Sequence, residues 1–204
     1  MFNTKLVSAA EVPKRWEDLL DPKWKGQQIG MTTDMKVWCT LALAGGWGVE
    51  KTEQFLVRLK EQKPLWVKGH SEGHALLIAG EFKVMASDYL YHVFSSKKKG
   101  APVEWVRVSP VPVIGGSTLL VKNAPHPNAA WLFMEWHTSA PGLKTFTAVT
   151  GGRGPIFPGF DNPSAKALQG LELAPLLEEH EEKIAAMNLR KKFAEKLEVV
   201  PTED

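Results

Sequence analysis

Two tyrosines, six histidines and one cysteine carry much of the chemistry that this chain of 204 residues offers. Tyr89 and Tyr91 stand two positions apart, directly after Asp88. A phenol hydroxyl there orients an anion by donating a hydrogen bond, and as phenolate it ligates a hard ferric ion. The competing role is structural, with a ring packed in the core and its hydroxyl satisfied. Spacing decides whether the pair acts together. On a helix the two rings diverge, whereas on extended backbone they share a face. His70 and His74 are spaced i, i+4 across a helix start, a separation that suits two imidazoles on one metal. The sequence shows no third ligand for them, and Glu72 between them belongs to another part of the helix.

Helix starts supply the second group of candidates. Thr32-Thr33-Asp34 follows the strand-like run Gln28 to Met31, and His70-Ser71 follows the run Pro64 to Val67. In parallel α/β sheets, ligands gather at the carboxyl ends of strands, where helix N–H groups point into the crevice. Thr33, Asp34, His70 and Ser71 are therefore candidates to meet an anion. A hydroxyl at a helix start is equally what an ordinary N-cap uses.

Catalytic patterns are missing from the sequence. It contains no G-x-S-x-G elbow, no H-E-x-x-H, no phosphate-cradling P-loop and no dinucleotide fingerprint after a strand. The glycines of Ala44-Gly45-Gly46-Trp47-Gly48 follow a helix and read as its stop. Cys39 lies in the apolar run Val37, Trp38, Leu41, Leu43, which suits a buried, inert thiol. A single cysteine excludes an intrachain disulfide and a cysteine-based metal site.

The elements that must hold these residues alternate. Val12 to Gly26 reads as a helix opened by Pro13 and closed by Asp21-Pro22. Short strands are expected at Gln28 to Thr32, Pro64 to Val67, Phe82 to Ala86 and Val103 to Val108. Helices are expected at Lys36 to Ala44, Val49 to Gln62, Ser71 to Ala79 and Tyr89 to Lys98. Strands alternating with helices imply βαβ units and a mostly parallel sheet. Beyond Gly115-Gly116 the pattern gives one more strand at Ser117 to Val121. A helix from Pro127 follows, with Ala129, Leu132, Phe133 and Trp136 on one face. A second helix begins near Ala140-Pro141, Gly151 to Pro155 is a loop, and the tail Leu171 to Leu197 reads as helical. The fold class is α/β, divided into residues 1–108 and 109–204.

Composition narrows the partners. Hydrophobic residues make up 44% and charged residues 24%, an ordinary globular profile. With 25 basic and 23 acidic residues the net charge is +2, too balanced for a nucleic-acid surface. The run Lys97-Lys98-Lys99 precedes Gly100 and reads as a solvated turn. No stretch is long and apolar enough to cross a membrane. Met1 to Lys5 lacks the charged, apolar and cleavage regions of a signal peptide, so the chain as written is not expected to be exported.

Four segments resemble the family-1 extracellular solute-binding proteins of ABC importers, the ferric-iron-binding group in particular. VPKRWEDLLDPKWKG is similar to the passage into their second lobe, and AGEFKVMASDYLYHVFSSKKKGAPVEWV to their ligand-contacting tyrosine segment and the strand after it. LLVKNAPHPNAAWLFMEWHTSAPG resembles the return to the first lobe, and GGRGPIFPG the loop beyond. The segments come in family order and span nearly the whole chain. The resemblance implies a type II periplasmic-binding-protein fold that closes on a ligand and delivers it to a membrane permease from the periplasm or cell exterior. Ferric-binding members place two adjacent tyrosines on the metal. Here Tyr91 matches one and Leu90 stands where the other would be, so a small organic anion or an iron–anion complex stands beside Fe(III) as cargo. The resemblance lacks the signal peptide and opening βα units, implying a nearly whole second lobe (12–108) and an incomplete first one (109–204).

These readings converge on a non-enzymatic binder. Thr33, Asp34, His70, Ser71, Asp88, Tyr89 and Tyr91 line its wall, with Tyr89 and Tyr91 as metal ligands if iron is carried. No further cofactor is expected. An incomplete sheet exposes apolar faces, which invite a homodimer. The alternatives are a self-associating fragment that captures nothing, and a small enzyme built on His70, Glu72 and His74.

Overall fold

In the computed structural model, residues 1–43, 45–156, 160–176 and 180–200 are described. They fall into two compact units, residues 1–115 with 171 onward, and residues 116–170. The expected division at 108/109 differs from this in one main respect: the tail from Leu171 groups with the first unit.

Seven strands and eight α-helices are described. They are β1 (Phe2–Asn3), β2 (Ile29–Thr32), α1 (Lys36–Ala42), α2 (Val49–Glu61), β3 (Leu65–Val67), α3 (His70–Ala79), β4 (Val84–Met85) and α4 (Leu90–Lys97). Then come β5 (Val103–Glu104), β6 (Val111–Ile114), α5 (Pro127–Thr138), α6 (Ala140–Val149), α7 (Pro163–Ala167), β7 (Leu173–Leu176) and α8 (His180–Leu197). The main sheet has the order β3-β2-β4-β1-β5. β2 runs parallel to β3, with Thr32 opposite Val67, and parallel to β4, with Ile29 opposite Val84. β1 is antiparallel to both its neighbours, β4 and β5. Parallel β2, β3 and β4 send their carboxyl ends to one edge, which is where a site can form.

Four sequence expectations change. Val12 to Gly26 is not one α-helix but two 3-10 turns, Trp16–Leu20 and Pro22–Trp24. Asp21 between them is extended, as a residue before proline prefers. Ser117 to Val121 forms no strand, and Leu119 and Val121 are exposed. The tail is not helical throughout. β7 pairs in parallel with β6, Val111 opposite Leu173, and Pro175 in β7 cannot continue a helix. The strand expected at Val103 to Val108 stops after Glu104. Ala44, residues 157–159 and residues 177–179, parts of an expected helix, a loop and the tail helix, lie outside the described residues.

An aromatic cluster organises the core of the first unit. Trp38 of α1 meets Trp16 edge-on with ring centroids 5.6 Å apart, and Trp47 packs on both Trp16 and Phe55. Phe193 and Leu197 of α8 join this core, which is why the tail belongs to the first unit. Cys39 is buried within it, and burial pushes its thiol up to about 12, so it stays protonated and inert. In the second unit, α5 presents Leu132 (69% exposed), Phe133 and Trp136, the apolar face read from the sequence.

Two glycines let helix and loop lie close on the sheet. A Cβ on Gly30 of β2 would sit 2.3 Å from the Phe82 ring, and one on Gly73 of α3 would sit 2.4 Å from Met85 Cε. Phe82 is itself fully buried, so it has no room to retreat. Gly30→Ala should therefore destabilise the chain by about 1–3 kcal/mol, read as a lower midpoint in urea denaturation. A Gly26→Ala control, where a Cβ meets nothing within 4 Å, tests only the backbone conformation.

Candidate functional site

Three helices begin where β2, β3 and β4 end, and each first turn leaves backbone N–H groups without helical acceptors. A carboxylate meets the first amide of one of them and the residue just ahead of another. Asp34 Oδ1 accepts from the Lys36 amide at 2.9 Å at the start of α1. Asp88 Oδ1 accepts from the Tyr89 amide at 2.7 Å before α4. The start of α3 differs. Its N-cap is Gly69, which has no side chain to cap with, and Glu72 turns back to accept from the Lys68 amide at 3.0 Å. Ser71, expected as that cap, instead sits exposed inside the first turn.

His70 opens α3 and is only 8% exposed. Its Nε2 lies 3.6 Å from Asp34 Oδ2, ion-pair range but longer than a hydrogen bond. Neither ring nitrogen has a hydrogen-bond partner among the described residues. Its ring packs 4.4 Å from that of Tyr89. Arg190 of α8 reaches Asp34 Oδ1 at 3.6 Å. Burial pushes the Asp34 carboxyl up, yet the His70 ring, the Lys36 amide and the Arg190 charge outweigh it and hold it below the usual range. Behind them Thr33 is half-buried, and its amide donates to Val67 O at 3.0 Å, tying β2 to β3.

The tyrosines share a face because of backbone geometry. Tyr89 precedes α4 in extended conformation (φ −87°, ψ 131°), and Tyr91 lies in the first turn. Their rings stack at 5.4 Å and 13°. The extended residue supplies the condition under which an i, i+2 pair converges.

Asp88 anchors this edge. Its side chain has no exposed surface, and it lies 2.6 Å from His74 Nδ1 through Oδ2 and 2.6 Å from His92 Nδ1 through Oδ1. His74 Nε2 in turn meets Ser96 Oγ at 2.8 Å. Burial raises the Asp88 carboxyl, but its bonds to His74 and His92 and their charge bring it below the usual range. The structure thus brings Asp34, His70, Asp88, Tyr89 and Tyr91 together, with Thr33 and Ser71 at the margins. His70 and His74 do not share a partner: one faces Asp34 and the other Asp88. His92 and Arg190 are additions. Asp88 and His92 are spaced i, i+4, a legible signal, whereas nothing in the tail sequence points Arg190 at β2.

This edge has known counterparts. Residues 1–172 match the family model described as bacterial extracellular solute-binding protein. The chain belongs to that family. It is a family of binding proteins, not enzymes. An uncharacterized protein of Haemophilus influenzae is 29% identical over 142 residues, 66% of this chain and 40% of that protein. Among solved structures, the periplasmic binding protein AfuA from Actinobacillus pleuropneumoniae, with exogenous fructose-6-phosphate bound, superposes with a TM-score of 0.67 at 21% identity. It matches 98% of this chain and 65% of AfuA. Iron-bound HitA from Pseudomonas aeruginosa gives a TM-score of 0.62 at 18% identity, over 94% of this chain and 65% of HitA. Both show the periplasmic-binding-protein fold, and the chain spans about two thirds of each. No described helix is long and apolar enough to cross a membrane.

The two depressed carboxyls give this solute-binding protein an acid-side stability profile. A carboxyl whose folded pKa lies below the unfolded value of about 3.9 binds protons more readily when unfolded. The stabilisation from Asp34 and Asp88 is therefore complete above about pH 5 and lost as pH falls through their folded values. Asp88→Asn should cost about 3 kcal/mol at pH 7 and flatten the acid limb, measured by urea denaturation between pH 3 and pH 7. An unchanged acid limb would show that Asp88 does not contribute.

Proposed function

We propose that this chain forms one wall of the ligand cleft of an ABC importer's solute-binding protein, and that the cargo is a small organic anion carrying a phosphate or carboxylate. The observation that carries this reading is the uncapped start of α3 with His70 beside it. First-turn amides collect there without a side-chain cap, and a buried imidazole lies next to them with neither nitrogen hydrogen-bonded. A helix N-terminus carries partial positive charge and donors aimed outward, the requirement for an oxyanion. Asp34 and Asp88 are each engaged by their own partners, which limits how far they oppose that field. Tyr89 and Tyr91 form an aromatic shelf next to it, suited to the carbon skeleton of the ligand. AfuA, which shares the fold, was solved with a sugar phosphate, a ligand of this class.

Fe(III) is the second reading. The stacking of Tyr89 on Tyr91 favours it, because two phenols on one face can both turn to a hard cation, and HitA with the same fold is iron-bound. In either case the remaining wall comes from the part of a full-length protein that this chain does not span, and closure would present the cargo to a membrane permease.

Calorimetric titration with fructose-6-phosphate, inorganic phosphate, citrate and ferric citrate separates the readings, using this chain and a version extended to full family length. His70→Ala should weaken anion binding about tenfold or more, as losing a hydrogen bond to a charged group does. Ferric cargo would instead give a visible phenolate-to-iron absorption band that Tyr91→Phe diminishes. Silence from both proteins toward all four ligands would sink the proposal.

A further inference from the structure

We infer that His74, Asp88 and His92 constitute a site for one divalent transition-metal ion, with zinc the ion whose preferences they meet. The inference is independent of which cargo the cleft holds. Their ligand atoms all lie within 4.8 Å of one another. They are supplied by α3, by the segment after β4 and by α4, elements already fixed by the sheet. Two imidazoles and one carboxylate are donors that zinc accepts at about 2.0–2.2 Å, leaving one position of a tetrahedron for solvent or ligand. Donors around such an ion stand roughly 3.3 Å apart by that geometry. The present 2.6 Å separations from Asp88 to each Nδ1 must therefore lengthen only slightly.

Both imidazoles turn the same nitrogen, Nδ1, toward the same carboxylate. Neutralising one buried carboxylate takes one imidazolium; a second converging imidazole exceeds that need and completes a ligand set. Each contact now carries a proton between nitrogen and oxygen. A divalent ion takes an Nδ1 lone pair from each ring and a carboxylate oxygen; the displaced proton passes to solvent from an imidazolium and moves to Nε2 in a neutral ring. Ser96 Oγ against His74 Nε2 is the outer partner that fixes a metal-bound imidazole's orientation. The setting is also sheltered, with side-chain exposure of 8% for His74, 0% for Asp88 and 17% for His92. Nitrogen donors select zinc, nickel or copper over a hard ferric ion, so this site is separate in chemistry from iron carried on tyrosines.

The test is titration of the EDTA-dialysed full chain with Co2+, followed by visible absorption, with Zn2+ as competitor and calorimetry for stoichiometry. One equivalent should bind with ligand-field bands of a low-coordinate N/O site, and zinc should abolish them. His92→Gln, at the most exposed ligand, should remove that equivalent while far-UV circular dichroism stays unchanged. Ser96→Ala should weaken it about tenfold, and His126→Gln, a histidine in the other unit, should leave it intact. No saturable binding to the unaltered chain overturns the inference. So does full retention of the equivalent in a folded His92→Gln.

Discussion

A single buried carboxylate fixes the edge of this protein at which β2, β3 and β4 end. Asp88 has no exposed side-chain surface, and a buried charge persists only when its partners are in place. Its partners are the Tyr89 amide, His74 and His92, so the end of β4, the middle of α3 and the first turns of α4 are bound to one point. His70 lies one turn before His74 on α3 and is carried by that anchor against the Tyr89 ring. Tyr89 is itself held extended by its bond to Asp88, which is what lets Tyr91 stack on it. The geometry of the wall follows from that carboxylate more than from any contact a ligand would make.

The sheet beneath is shaped to permit this. Gly30 and Gly73 remove side chains where Phe82 and Met85 need space, so α3 settles close over β2 and β4. That close approach brings the starts of α1 and α3 near enough for His70 to face Asp34. Asn3 of β1 fastens the opposite end of α3, its Nδ2 donating to Leu77 O at 2.8 Å. Helix α3 is thus held at its carboxyl end by the Asn3 amide and along its length by the contact between His74 and Asp88.

Much of this was legible in local sequence. Helix α2 announces itself through apolar spacing and α3 and α4 through the glycines that follow them, and the alternation with short apolar runs gives the parallel strands. The 3-10 turns around Asp21-Pro22 were less legible, because Trp16, Leu19 and Leu20 keep helical spacing while the proline redirects the backbone. The tail misled for a similar reason. Its charged, helix-forming residues mask β7, whose pairing with β6 joins positions about sixty residues apart in sequence. At the site, spacing correctly joined Tyr89 to Tyr91 once the backbone proved extended, but it paired His70 with His74. Tertiary packing gave each histidine its own aspartate instead. Arg190 is the clearest case of information held only in the fold, since its partner Asp34 is reached through the packing of α8 on the aromatic core.

The residues beside each helix start bear on why the proposed anion site falls at α3. Asp34 accepts the first amide of α1 and is also met by Arg190 and His70, while Asp88 accepts the Tyr89 amide just ahead of α4 and is also met by two imidazoles. A balanced buried carboxylate projects little field, so its repulsion of an incoming anion is short in range. Of the three helices that start at this edge, α3 begins on a glycine, and a buried imidazole without a hydrogen-bond partner among the described residues lies beside its uncapped amides. A Ser or Asp at position 69 would cap that helix and stabilise it by roughly a few tenths of a kcal/mol, yet it would occupy the donors that an anion needs. Leaving the cap out costs local stability and keeps the first-turn donors of α3 open beside the His70 imidazole, and on that pairing the anion reading of the wall rests.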